Sequence, residues 1–290
     1  MKKNGLLLFS LLFAACLRAQ LPNTDIWLLD IEVHNDSIAL RNPQNITHRQ
    51  GYDNQPAFSP DSKYILYTSI REDKQADIYK YDITTQFISQ FTRTSTSEYS
   101  PTFMPDGKNI SVVMVEADTV TQRVWKFPLK GGAPVMVMKD IDSVGYHCWI
   151  NKDSMAMVMT TNPPTLEVVN VKTQKHHTLA SNVGRCMLSV SQILFYVQKQ
   201  DSTKCFVSNY MADLKERQKN YFAIPSEDFA MLLSFQPIYI TGVKSKLMAS
   251  FPFTGKNKTL LDLSKTGITN ITRIAISPDQ SKMAIVAESK

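Results

Sequence analysis

The chain is 290 residues long, 43% apolar and 20% charged, with 11 Tyr and 14 Phe. That composition suits a sizeable core and is that of a globular rather than a disordered chain. The formal charge of +6 is scattered, with no run of Lys and Arg of the kind that tracks phosphates, so it reads as a solvated surface and argues against nucleic acid as the partner.

Lys2 and Lys3 precede the apolar run GLLLFSLLFAAC, too short to span a bilayer and placed like the core of a secretory signal. No later stretch is apolar enough to cross a membrane, so no transmembrane segment is expected. The mature protein is expected to be exported, to the periplasm or the outer membrane. Two ends of the leader fit. FAAC reads as a lipobox that leaves Cys16 lipidated as the first residue, whereas LRAQ reads as a cleavage site after Ala19. The second is preferred, because little tether would separate Cys16 from the first strand. It gives a signal peptide at 1–19 and one domain at 20–290. Without Cys16 the thiols are Cys148, Cys186 and Cys205, an odd number lacking metal spacing, which points to thiols in a core rather than a disulfide framework.

Strand signals then follow at regular spacing. TDIWLLDIE (24–32) and SIALRNPQNIT (37–47) come first. QPAFSPDSKYILYTS (55–69) supplies a short strand from Pro56, a Pro-Asp turn and a second strand, and ADIYKYDI and FISQFT add two more. The same order recurs 45 positions later in SPTFMPDGKNISVVM (100–114), RVWKFPL and APVMVM. A third copy reads HCWI, NKDS, MAMVMTT, LEVVNV and KHHTLA, with Trp149 in the place of Phe103. RCML, ILFYVQ, KCFVSNYM and QKNYFAI make a fourth. The fifth is FAMLL, PIYITGV, KLMASFPF and TLLDLS. The chain closes on ITRIAISPDQSKMAIVAESK, which holds only two strands; the missing pair is the one at residues 24–47. Four antiparallel strands in about 45 residues make a propeller blade. The expected fold is therefore all-β: a six-bladed β-propeller of four-stranded antiparallel blades, the last closed by the N- and C-terminal strands, which leaves no open sheet edge.

The SPD-type repeats at Pro56–Asp61, Pro101–Gly107 and Ser277–Asp279 resemble the TolB-like family of propellers with WD40-like repeats, also seen in the propeller parts of some exported peptidases. The resemblance covers nearly all of the mature chain and implies a six-bladed ring. TolB itself carries a separate α/β domain before its propeller; here only a few residues separate the leader from the first strand.

Catalytic motifs are missing: no GxSxG elbow, HExxH, phosphate loop or dinucleotide fingerprint is present, and nothing calls for a cofactor or a metal. His176 and His177 fall on an outermost strand, where alternation points them to opposite faces. More informative is where the repeat departs from its own template near the start of each first strand. Gln55, Tyr99, Tyr146, His147, Arg185, Asp228 and Arg273 then stand in the loops leading into those strands, around one mouth of a central channel. Two function classes remain open. One is a non-catalytic binding or scaffold module of the bacterial envelope, a monomer meeting a protein or glycan, in which Arg185 and Arg273 would suit a carboxylate. The other is a lyase or hydrolase with Tyr146 or His147 as acid or base, which needs a carboxylate such as Glu98 or Asp228 beside His147. The missing motifs favour binding.

Overall fold

The computed structural model describes residues 22–34, 37–201, 204–234 and 236–289. The leader at 1–19, Cys16 and both cleavage sites lie outside the described residues. Among the described residues no helix is long and apolar enough to cross a membrane.

Regular structure among these residues is all-β apart from a 3-10 turn at Ser264–Thr266. The strands run β1 (Thr24–His34), β2 (Ser37–Asn45), β3 (Tyr52–Phe58), β4 (Tyr64–Ile70), β5 (Ala76–Asp82), β6 (Ile88–Gln90), β7 (Ser97–Phe103), β8 (Asn109–Val115), β9 (Gln122–Pro128) and β10 (Val135–Met136). The next are β11 (Val144–Trp149), β12 (Ser154–Met159), β13 (Thr165–Asn170), β14 (Lys175–Ser181), β15 (Val183–Val190), β16 (Ile193–Lys199) and β17 (Cys205–Met211). The last are β18 (Glu216–Ile224), β19 (Ala230–Leu232), β20 (Ile238–Val243), β21 (Lys246–Phe251), β22 (Lys256–Asp262), β23 (Ile268–Ile276) and β24 (Lys282–Ser289).

Five sheets result. Four contain four strands each, β7–β10, β11–β14, β15–β18 and β19–β22, paired in chain order. The fifth has eight strands, in which β23, β24, β1 and β2 pair antiparallel and β3 to β6 do the same. A single parallel pair, Thr24 with Tyr52, joins those two groups. The two ends of the chain thus meet as the sequence requires: β1 runs against β24 without a break from Thr24–Glu288 to Asp30–Lys282.

The middle strands of each group read as continuous apolar runs (YILYTS, ISVVM, MAMVM) because both faces are covered. Ile65 and Tyr67 turn towards Ile26 and Val286, while Leu66 turns the other way towards Ile110 and Val112. Val113 meets Met155 and Met157, Ala156 and Val158 meet Leu194 and Tyr196, and Val197 and Val207 meet Tyr239. Leu29 and Ile285 pack on Ile240 and Leu247, which returns the series of contacts to its start. Each apolar cluster therefore lies between consecutive groups of four strands.

The repeated SPD turn has a local cause. Ser59 Oγ accepts the N–H groups of Lys63 and Tyr64 at 3.1 Å and donates to Asp61 at 2.6 Å. Ser277 and Asp279 repeat this, with Lys282 N–H at 2.9 Å from Ser277 Oγ. Short polar side chains thereby satisfy backbone donors that the strands leave open.

Two expectations change, and one irregularity is new. β3 and β7 begin earlier than Pro56 and Pro101, so the residues assigned to loops before the first strands, other than Asp228, belong to strands. The innermost strands are also bulged, between Asn54 and Ala57, Tyr99 and Thr102, Val144 and Tyr146, and Ile271 and Arg273. Gln55 and Ser100 adopt φ of 58° and 55° there, the left-handed region that residues other than glycine seldom enter. Finally, Phe58 and Trp149 are buried as expected, but Phe103 is only half-buried and packs edge-on against Tyr64.

Removing residues 24–34 should strip β24 of one of its two partners and uncover that edge. Size-exclusion chromatography should then show aggregation, and a monomer with an unchanged melting temperature would contradict the closure. Trp149 fills the space between β8 and β12 and donates its indole N–H to Ser111 Oγ at 2.8 Å. Trp149→Ala should cost about 3–5 kcal/mol in chemical denaturation.

Candidate functional site

A cavity of about 500 Å³ is lined by β3, β7, β11, β15, β19 and β23 and the residues just beyond them. On most of these strands the lining runs towards the C-terminal end: from Gln55 to Phe58, from Ser100 to Phe103, from Arg185 to Val190 and from Arg273 to Gln280. The polar residues singled out in the sequence therefore sit at its inner end, and the cavity extends away from the side where the innermost strands begin. Gln55, Tyr146, His147, Arg185, Asp228 and Arg273 all line it. Tyr99 does not. It packs half-buried against the cluster of Val113 and Met157.

The bulges aim these side chains. Gln55 uses its carbonyl oxygen to accept the Thr68 hydroxyl at 2.7 Å and the Ser100 N–H at 2.8 Å, linking β3 to β7. Asp228, just before β19, is 5% exposed. One carboxylate oxygen accepts the Ile274 N–H at 3.0 Å, and the other lies 3.8 Å from Arg185 Nε. Burial pushes this carboxyl up to about 6 against the opposing pull of Arg273 and Arg185. Arg185 also donates to the Thr272 carbonyl at 2.6 Å. The Arg273 guanidinium lies over the Tyr146 ring, 5.0 Å from its centre. Two guanidinium groups thus face one carboxyl, leaving one positive charge in surplus.

Tyr52 was not singled out in the sequence because β3 was expected to begin at Pro56. Its phenol lies in the field of Arg273, Tyr146, Tyr99 and Arg185, and burial raises it to about 12. The structure thereby gathers Tyr52, Tyr99, Tyr146 and both arginines near the inner end, although Tyr99 contributes nothing to the cavity wall.

The acid–base arrangement required for catalysis at His147 is not assembled. His147 is buried beside β8, its Nε2 2.7 Å from Ser111 Oγ, and burial depresses the imidazole to about 4, so it is neutral at neutral pH. Glu98 is fully buried elsewhere: Thr92 and Thr96 hydroxyls lie 3.0 and 3.2 Å from its carboxyl, with Thr94 also bonded to it. Burial, aided by Asp77, pushes Glu98 up to about 7. Asp228 turns to Arg185 and Ile274. His176 and His177 are exposed on β14, with Nδ1 of His176 3.1 Å from Glu167. Among the described residues no group of three or more His, Cys, Asp or Glu side chains could hold a metal ion.

No protein-family model matches the chain, and no curated protein matches it in sequence. Solved structures do match in fold. A putative TolB from Agrobacterium tumefaciens superposes with a TM-score of 0.67 at 12% identity, over 93% of this chain and 99% of that one. TolB from Acinetobacter baumannii gives 0.54 at 14% identity over 92% of this chain, which spans 64% of that protein's length. An oligogalacturonate lyase solved with manganese gives 0.55 at 10% identity, over 87% of this chain and 82% of that one. At such identities the likeness is one of fold: the chain is all-β and of the TolB-like β-propeller type. These neighbours include an enzyme as well as TolB, so the fold alone does not choose between chemistry and binding.

Glu98 yields a pH test. Its carboxyl takes up a proton near pH 7 in the folded chain and near pH 4.5 when unfolded, so the folded state gains stability as the pH falls through 7. Glu98→Gln removes this gain. The stability of the variant relative to the parent should therefore fall by about 1 kcal/mol between pH 8 and pH 6, read from denaturation curves at both values. A difference that does not change with pH would place Glu98 in water.

Proposed function

We propose that this chain is an exported, non-catalytic binding module of the cell envelope, which takes an anionic group of a protein or glycan partner at the inner end of its central cavity. The carrying observation is the uneven charge there. Arg185 is engaged with Asp228 and the Thr272 carbonyl, while Arg273, stacked on Tyr146, remains to meet a ligand. A guanidinium held against an aromatic face in a cavity is an ordinary means of gripping a carboxylate.

The same reading counts six blades. The eight-stranded sheet is taken as two blades joined at Thr24–Tyr52, which is supported by apolar clusters lying between every consecutive pair of four-strand groups. It takes residues 20–290 as one domain acting as a monomer and residues 1–19 as a signal peptide directing it to the periplasm or outer membrane, a reading that rests on the leader sequence. The catalytic alternative has less support, since His147 is neutral and engaged with Ser111.

Arg273→Ala and Tyr146→Ala are the usable probes, because both leave Asp228 its contacts with Arg185 and the Ile274 N–H. Arg185→Ala is not, because it would strand the buried Asp228 carboxyl and destabilise the fold. A panel of acidic oligosaccharides and envelope-protein peptides, titrated by calorimetry, should show binding that either probe weakens by about tenfold or more. Melting temperatures should stay close to the parent's. Ligands that bind both variants normally but lose affinity for Lys258→Ala, on the outer surface, would overturn the reading.

A further inference from the structure

We infer that the cavity selects a monocarboxylate carrying an apolar body, an inference that rests on the binding reading above. Two features of the cavity lead there. The first is its charge count. Arg185, Arg273 and Asp228 leave a surplus of one positive charge, so one carboxylate neutralises the inner end, whereas a dianion would leave a net negative charge away from water. The second is the wall beyond it. Outward from the arginines, the cavity passes Met187, Leu188 and Val190 of β15, Phe103 of β7 and Ile276 of β23, all of them half-buried. It ends at Leu233, which is 48% exposed although it is a large apolar residue. Charged side chains are confined to the inner end; the outer wall has none, its polar groups being the neutral Thr102, Ser189, Ser277 and Gln280. A ligand that is anionic at one end and apolar along its length matches this order. The 500 Å³ volume lies in the range of small-molecule sites.

Asp228 sets the selection. It holds one oxygen on the Ile274 N–H and the other towards Arg185, and so occupies the place a second ligand carboxylate would need. Asn in its place keeps an acceptor for the Ile274 N–H while removing the charge, which raises the surplus to two.

The test titrates the full-length mature protein with octanoate, decanoate, decanol, decyltrimethylammonium and octylmalonate, all below their micelle concentrations, at pH 8. Decanoate should bind at least tenfold more tightly than decanol, decyltrimethylammonium or octylmalonate. Decanoate should exceed octanoate by up to about fourfold for each added methylene. Arg273→Gln should weaken decanoate about tenfold, and Asp228→Asn should narrow or reverse the preference over octylmalonate. Equal affinity for decanoate and decanol, or decanoate binding that Arg273→Gln leaves intact, overturns the inference. If decanoate fails to bind while an acidic sugar or peptide binds in an Arg273-dependent way, the inference falls and the cavity-binding reading survives. If no ligand of any class responds to Arg273, that reading falls as well.

Discussion

The pairing of β1 with β24 is the constraint on which the rest of the structure depends. Ile26, Leu28 and Leu29 alternate across the sheet, so this one strand completes two apolar clusters, one against β4 and one against β20 and β21. Lys282 is bonded to Asp30, and Asp25 accepts from Asn45, Thr47 and the Arg49 N–H. Arg49 then reaches across to Asp53, Ser69 and the Ile70 carbonyl. The inner end of the cavity relies on the same seam. Arg273 and Ile274 stand on β23, which is held by β24, and Ile274 supplies the N–H that fixes Asp228.

The buried charges are better understood as fixing geometry than as adding stability. A desolvated Asp228 near two arginines recovers through attraction much of what burial costs it, and replacing such groups by apolar ones is often neutral. Their effect is to set positions: Asp228 ties the segment before β19 to β15 and to β23 at once. Glu98 plays a similar part between β5 and β7, where threonine hydroxyls supply the hydrogen bonds and burial, aided by Asp77, raises its carboxyl. His147 sits neutral between β8 and β11. Each of these polar groups lies at a junction between neighbouring strand groups.

Much of the architecture was legible in the sequence because the repeat writes its own turn chemistry. Ser59, Asp61, Ser277 and Asp279 hold backbone N–H groups in place, and the apolar runs that follow can only be strands buried on both faces. The missing half-blade at the C-terminus pointed to residues 24–47 by simple counting. The site was less legible. A β-bulge adds a residue without changing composition, so the shift that brings Tyr52 near Arg273 left no mark in the pattern. Tyr99 and Tyr146 oppose equivalent positions of β8 and β12, yet only Tyr146 reaches the cavity. Arg185 and Asp228 belong to neighbouring groups of strands, and nothing local in either segment announces the other. Periodicity assigns a residue to a face, but contacts between separate strand groups are set by packing.

The seam at β1 also has a kinetic side. Its partners lie on the order of 260 residues further along the chain, and joining ends so far apart costs about 5 kcal/mol of chain entropy before any contact rewards it. The groups between can form from near neighbours in sequence, each stacking on the one made before it. While synthesis proceeds, TDIWLLDIE can pair with β2 on one side, but the edge that β24 will cover stays open to other chains. A molecule built this way closes its last sheet edge only when its final residues are available to meet its first strand.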